Sequence, residues 1–321
     1  MPESDYPQGR DTRVTRLDPS AEVLALAVES DQLEPLDPNR KRRKGLGFAA
    51  WLAIIWIVGL LALAILAPVI GIPDPNKSFP AIARQGPTAG HILGGDANGR
   101  DLLARIIYGT RASFAVGFGA VAFGLIIGGF LGLVTGFFRG ITDSIITPAM
   151  TILLAIPQFV LALSLVTVLA AGDNVTSTRR LGVVVLGLGI VSIPILGRIT
   201  RANTLAWSER EFVLAARAMG AKSWRIMFRD VLPNVLPAML SIALLGVGIA
   251  IVAEGGLSLF GVGVQLPTPS WGNIIAENRD QLRRSPQIVM FTVIVLFLTV
   301  LALNYLADVV SKRFEVRESV L

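Results

Sequence analysis

Six stretches of this chain stay apolar long enough to cross a lipid bilayer: residues 46–70, 112–138, 144–171, 181–197, 235–261 and 287–310. About twenty residues suffice for a helix to span the hydrocarbon core, and helices leave no backbone group unbonded where water is absent. Each stretch therefore predicts a transmembrane helix, and together they predict an all-α integral membrane protein. The fourth is the shortest, and Pro194 interrupts it.

The apolar pattern breaks sharply between the fourth and fifth stretches. Residues 198–233 carry Arg198, Arg201, Arg210, Arg217, Lys222, Arg225 and Arg229. One such charge at the centre of a membrane helix costs about 2.5–3.5 kcal/mol on insertion scales, so this segment must be exposed, and its sign places it in the cytoplasm. Within it the spacing predicts one helix over Ser208–Met219, a turn at Gly220 and a second helix over Ser223–Asp230. Ser208 with Glu211 three residues on has the spacing of a capping box. Phe212, Ala215, Ala216 and Met219 fall on one face of the first helix, with the two alanines keeping that face low and smooth. A helix lying on the bilayer would show a similar face. The interruption at Gly220, and a second amphipathic turn leading into Leu232 and Pro233, instead favour an elbow on which a soluble partner docks.

The second stretch has small residues at a strict spacing of four: Ala120, Gly124, Gly128, Gly132, Gly136 and Gly140. They form one stripe along a helix and predict a face where another backbone approaches closely.

Composition agrees with a membrane protein. Of 321 residues 53% are hydrophobic and 16% charged, the mean hydropathy is +0.64, and 32 glycines accompany only 7% aromatics. Nineteen of the 29 Lys and Arg residues fall in segments assigned to the cytoplasm when both termini are placed there, and ten fall outside. The net charge of +6 is thereby explained by topology and anionic lipid, without nucleic acid. The expected organisation is a mostly disordered cytoplasmic tail over 1–45, with a short helix near Ala21–Ser30; a first span and extracytoplasmic loop over 46–110; a core of five spans over 111–310; and a cytoplasmic tail over 311–321. Cysteine is absent and His91 is the single histidine, which excludes disulfides, thiolate chemistry and a histidine metal cluster.

The chain is not itself an ATPase. Lys77 and Lys222 are the only lysines followed by Ser or Thr, and Asn76 and Ala221 precede them where a phosphate-binding loop requires glycine. Equipment for ion coupling is thin. Glu254 is the clearest intramembrane carboxylate, Asp143 and Asp308 sit at span edges, and Gln158 and Asn304 are polar without being ionisable. Glu254 is either a structural carboxylate or a contact for the positive amino terminus of a substrate.

Three strings now converge. EFVLAARAMGAKSWRIMFRDVLPN (211–234) resembles the cytoplasmic loop of ABC importer permeases, although their literal Glu-Ala-Ala triplet is absent, since Leu214 precedes Ala215. With HILGGDANGRDLLARIIYGTRASFAVG (91–117) and LSLFGVGVQLPTPSWGNII (257–275), residues 45–315 resemble the second, C-type membrane subunit of dipeptide/oligopeptide importers. The resemblance implies a type I importer permease with six spans and a cytoplasmic coupling helix, in a bacterial plasma membrane. Its partners would be a second homologous permease, two cytoplasmic ATPases holding ATP and magnesium, and an extracytoplasmic substrate-binding lipoprotein. Glu211, Ala215, Ala216, Gly220, Leu232 and Pro233 would form the ATPase-docking element. Members of that family carry a charged pair ahead of Leu-Ala-Ile-Pro, where this chain has Pro148 and Thr151. That difference keeps open another solute, such as nickel or an oligosaccharide; an ion-coupled carrier acting alone is the remaining alternative.

Overall fold

Apolar runs bounded by capping residues set where each helix begins and ends. A computed structural model of the chain describes residues 47–171 and 176–318. They form α1 (Phe48–Ile70), α2 (Leu102–Phe138), α3 (Gly140–Ala155), α4 (Gln158–Leu169), α5 (Ser177–Ser208), α6 (Glu211–Ala218), α7 (Ser223–Leu259), α8 (Trp271–Glu277) and α9 (Gln287–Glu318). Among the described residues there is no strand, only three isolated β-bridges within residues 78–101. The expected tail over 1–45, its short helix near Ala21–Ser30, Asp173 and residues 319–321 lie outside the described residues.

Five helices are long and apolar enough to cross a membrane, and a sixth crossing exists if the bent pair α3 and α4 is one span. That pair corrects the expected single helix over 144–171. The chain turns by 92° between Ala155 and Gln158, because Pro157 has no N–H to continue the ladder and holds Ile156 extended, at ψ 132°. Gln158 eases the break by donating its side-chain amide to the carbonyls of Leu153 and Ile156, at 3.4 and 3.3 Å.

Other boundaries move outward. α2 starts at Leu102, not 112, because Asp101 caps it by accepting the Ala104 amide at 2.8 Å, so the expected boundary at 110/111 falls inside a helix. α5 extends from Ser177 to Ser208 and continues through Pro194, which takes with it the first eleven residues of the expected loop. Ser208 is thus the last residue of α5, donating to the Leu205 carbonyl at 2.9 Å; the expected capping box with Glu211 does not form, and Arg210 precedes α6 without a side-chain cap. The expected second loop helix is the start of α7. A π turn over Met227–Val231 absorbs the missing N–H of Pro233, and Asn234 donates its side-chain amide to the Asp230 carbonyl at 2.6 Å. α9 likewise runs past 310 to Glu318.

The glycine stripe of α2 faces α5. A Cβ on Gly124 would lie 2.6 Å from the Ser192 Cβ, and one on Gly136 would lie 2.7 Å from the Thr204 Cβ. At Gly128 and Gly132 it would strike the carbonyl oxygens of Ile193 and Gly197. Gly140 leaves the stripe, since it follows the helix end with φ +62°. Buried side chains of α2, α4, α5, α7 and α9 gather around this contact, among them Val116, Val166, Val184, Ile251 and Leu303. α1 lies at the periphery, fixed by Trp56 donating to Thr299 at 3.1 Å and by Arg111 donating to the Ala64 carbonyl at 2.8 Å. Its exposed Phe48, Trp51, Ile55 and Ile65 suit lipid.

Backbone lies against backbone at the stripe, so a large side chain has nowhere to go. Gly128→Leu and Gly132→Leu are expected to lower the melting temperature of the detergent-solubilised protein by several degrees and to reduce its yield. Gly59→Leu, at an open position of α1, is expected to change neither. Thermal unfolding of the three variants side by side checks this.

Candidate functional site

The end of the bundle that carries α6 is built on one buried side chain. Val213 is fully buried among Leu133 and Phe137 of α2 and Ile226, Met227, Val231, Val235 and Met239 of α7. Its complete burial stabilises the seat of α6 by about 1.5–3 kcal/mol. Around it α6 is exposed: Glu211, Ala215, Met219 and Gly220 face solvent, Phe212 and Leu214 are about half exposed, and Ala216 is half-buried. Gly220 ends the element with φ +78°, bringing its amide to the Arg217 carbonyl and that of Ala221 to the Ala216 carbonyl, at 3.0 and 3.1 Å. Leu232 and Pro233 are not on α6. They belong to α7 just beyond the π turn, Leu232 packed on the Val213 cluster and Pro233 exposed.

α6 is also tied to aromatic neighbours. Arg210 lies over the Trp207 ring at 5.3 Å and Arg217 over the Phe137 ring at 5.2 Å. Beside it opens a hollow of about 410 Å³ lined by Phe137, Phe138, Arg139, Ser208, Glu209, Leu214 and Arg217. An exposed apolar helix with a neighbouring hollow, seated rigidly across the ends of two long helices, can take a groove or a knob of another protein and pass force to both.

The polar candidates within the spans are not gathered into one site. Glu254 is fully buried, and its Oε1 accepts hydrogen bonds from Ser258 and Ser270 at 2.8 and 2.9 Å. Ser270 in turn caps α8, accepting the Asn273 amide at 3.1 Å while the Asn273 side chain accepts the Ser270 amide at 3.0 Å. Oε2 points onto the backbone at Gly272, where a Cβ would come within 2.6 Å of it. Glu254 therefore holds α8 against α7. Gln158 sits at the break between α3 and α4, and its neighbour Phe159 packs on Gly256 and Phe260 of the α7 end. Asn304 is exposed on α9, opposite Gly248.

Two clusters escaped the sequence reading. At the α8 end, Asp96, Arg100, Arg105 and Glu277 form a chain of ion pairs: Arg100 reaches Asp96 at 2.7 Å and Glu277 at 2.6 Å, and Arg105 reaches the same two carboxylates at 2.5 and 2.7 Å. Asp96 and Arg105 are wholly buried. Removing one member of such a buried set costs about 3–5 kcal/mol. The Asp96 and Arg100 spacing of four was visible in the sequence, but Glu277 lies 172 residues from Arg105 and only folding joins them. At the α6 end, Asp143 and Arg201 form a bidentate pair with both bonds at 2.6 Å. Arg139 also pairs with Glu209 at 2.6 Å. In sequence, Asp143 is only a span-edge residue and Arg201 only one of the loop cations.

Residues 124–319 match the family described as binding-protein-dependent transport system inner membrane component. The chain is 35% identical over 280 residues to the dipeptide transport system permease protein DppC of Alkalihalophilus pseudofirmus, covering 87% of this chain and 90% of that one. It is 34% identical over 255 residues to the glutathione transport system permease protein GsiD of Pectobacterium atrosepticum, covering 79% and 82%. Among solved structures, an inward-facing form of the MetNI methionine ABC transporter matches 66% of this chain and 97% of its own, with a TM-score of 0.52 at 17% identity, a likeness of fold.

The two hydroxyls on Glu254 give a test of its role. Glu254→Gln keeps an oxygen for both serines and is expected to leave thermal stability and transport near wild type. Glu254→Leu strands both hydroxyls and is expected to cost about 1–3 kcal/mol of stability. A Gln variant with unchanged stability but a selective defect for substrates bearing a free amine would mark the carboxylate as a substrate contact instead.

Proposed function

The chain belongs to the family of binding-protein-dependent transport system inner membrane components, and from that premise we propose that it imports short peptides as one permease half of an ATP-driven transporter. As a family member it is a multi-pass permease of the cell membrane, not an enzyme, and it works with a separate ATPase and a substrate-binding protein. Its helical bundle has the type I ABC importer permease fold, with the third crossing bent. The observation that carries the peptide reading is the 35% identity to a dipeptide permease along 87% of the chain.

In this reading the α6 end faces the cytoplasm, with both termini on that side. ATP and magnesium sit on two ATPase subunits, a second homologous permease completes the pathway, and an extracytoplasmic lipoprotein delivers cargo. α6 docks in the ATPase through Phe212, Ala215 and Met219, the exposed face that Glu211 and Ala216 flank. Two linker residues, Glu209 and Arg210, join α6 to α5, and the turn at Gly220 joins it to α7. A displacement of the ATPase groove therefore reaches two membrane helices at once. One oxygen of Glu254 is held by Ser258 and Ser270 in fastening α8 to α7, a structural role that supports ATP drive over a carrier that cycles a proton or sodium on an intramembrane carboxylate.

Co-purification of an ATPase with the chain, and ATP-dependent uptake of labelled di- and tripeptides but not of nickel or oligosaccharides, is the expected result. Uptake of either other solute in place of peptides would replace the substrate assignment.

Gly220 allows a sharper test, because no atom of this chain lies within 4 Å of the position a Cβ would take, so within the chain any effect acts through the backbone. A β-branched residue held at φ +78° costs roughly 1–2 kcal/mol. Gly220→Val is expected to cut ATP-dependent uptake several-fold at normal membrane expression, and Gly220→Asn, which tolerates that conformation, to cut it less. Equal, full uptake in both would remove Gly220 from coupling.

A further inference from the structure

The α3 half of the bent crossing is held by few contacts. α3 meets α2 through Arg139 and Gly140, both at positive φ (53° and 62°), and it ends at the Ile156–Pro157 break. Between these two joints only Met150 is buried, in the notch opposite Gly197, where a Cβ on the glycine would come within 2.7 Å of the Met150 sulfur. Ile141, Ser144, Ile145, Pro148, Thr151 and Ile152 are exposed. The other tether on the α3 barrel is Asp143, whose two oxygens each accept from the Arg201 guanidinium at 2.6 Å, while Thr147 donates to the same carboxylate at 2.6 Å. Arg201 stands two turns before the end of α5, which the glycine stripe fastens to α2 and which leads through Glu209 and Arg210 into α6.

We propose that the Asp143–Arg201 pair is a latch that makes α3 follow the docking element. It is a positioning pair, touching no substrate, and the inference rests on the ATP-driven reading given above. With the pair closed, α3 moves with α5 as one body. With it open, α3 pivots between the Arg139–Gly140 and Ile156–Pro157 joints while α5 and α6 still move with the ATPase. A flat, two-bond guanidinium–carboxylate contact suits this task, since it fixes direction as well as distance and is lost abruptly when the helices separate. The partly exposed setting keeps opening feasible within a transport cycle: the two side chains are 26% and 22% exposed, so water replaces the bonds as they break.

Two measurements test the latch. In the purified transporter complex, Asp143→Asn and Arg201→Lys are expected to lower peptide imported per ATP hydrolysed by about fivefold or more, within the usual range of coupling effects. The exchange Asp143→Arg with Arg201→Asp is expected to restore most of it. Singles that keep the wild-type ratio, or assembled singles that lose it with no recovery in the exchange, overturn the latch. The second measurement needs no transport and so separates failure of the latch from failure of the importer reading. Because the chain has no cysteine, spin labels on Ser144→Cys of α3 and Ala202→Cys of α5 report their separation directly in the full-length protein. One narrow distance in wild type, a broader or longer distribution in Asp143→Asn and a narrow one again in the exchange support it. An unchanged distribution in Asp143→Asn overturns it.

Discussion

Contact between the backbones of α2 and α5, with no side chain between them, fixes the frame on which the rest of this protein is assembled. Four glycines over 124–136 of α2 meet Ser192, Ile193, Gly197 and Thr204 of α5. In lipid there is little hydrophobic gain from joining two apolar helices, so dispersion across a close interface must hold them. That contact is best where Cβ atoms are missing. It also makes the pair stiff, since neither helix can slide without driving a carbonyl into its neighbour.

The two ends of this frame are finished in opposite ways. At the α8 end, loop residues Asp96 and Arg100, helix residue Arg105 and Glu277 neutralise one another out of water, while Glu254 fastens the cap of α8. Charges in such a place are tolerable only as a complete set, so this end is closed and specific. At the α6 end the charges are single or paired at the surface and the apolar faces are left uncovered, with Met219 81% exposed and Trp224 52% exposed. One end pairs its charges within its own chain. The other leaves apolar faces uncovered, which suits the docking proposed for it.

The proposed coupling would depend on short connections. α6 is only eight residues long, and an isolated helix of that size is not stable in water, so Val213 and the Gly220 turn hold it as a rigid part of α5 and α7. α3, the first half of the bent crossing, is the contrasting element. It is lightly buried and jointed at both ends, and it is held to α5 by one apolar knob and one ion pair. Stiff and jointed parts lie side by side because the glycine stripe reaches α5 and stops short of α3.

Much of this was legible in the chain itself. Membrane spans follow from length and hydropathy, because lipid permits a helix and little else, and Gly220 declared its turn because a left-handed position excludes most other residues. The glycine stripe announced a packing face by its spacing of four, without naming α5 as the partner. What the sequence could not state were facts of long-range proximity. Helix ends moved to 102 and 208 because Asp101 and Ser208 found local partners that periodicity does not register, a π turn joined the helix starting at 223 to the fifth span, and Pro157 bent a run whose apolar pattern was unbroken. Glu254 with Ser270, Arg105 with Glu277 and Asp143 with Arg201 are 16, 172 and 58 residues apart. Each side chain alone reads only as a charge in an awkward place. The partner that makes it tolerable is chosen by which helices the fold brings together, so those pairings belong to the tertiary structure.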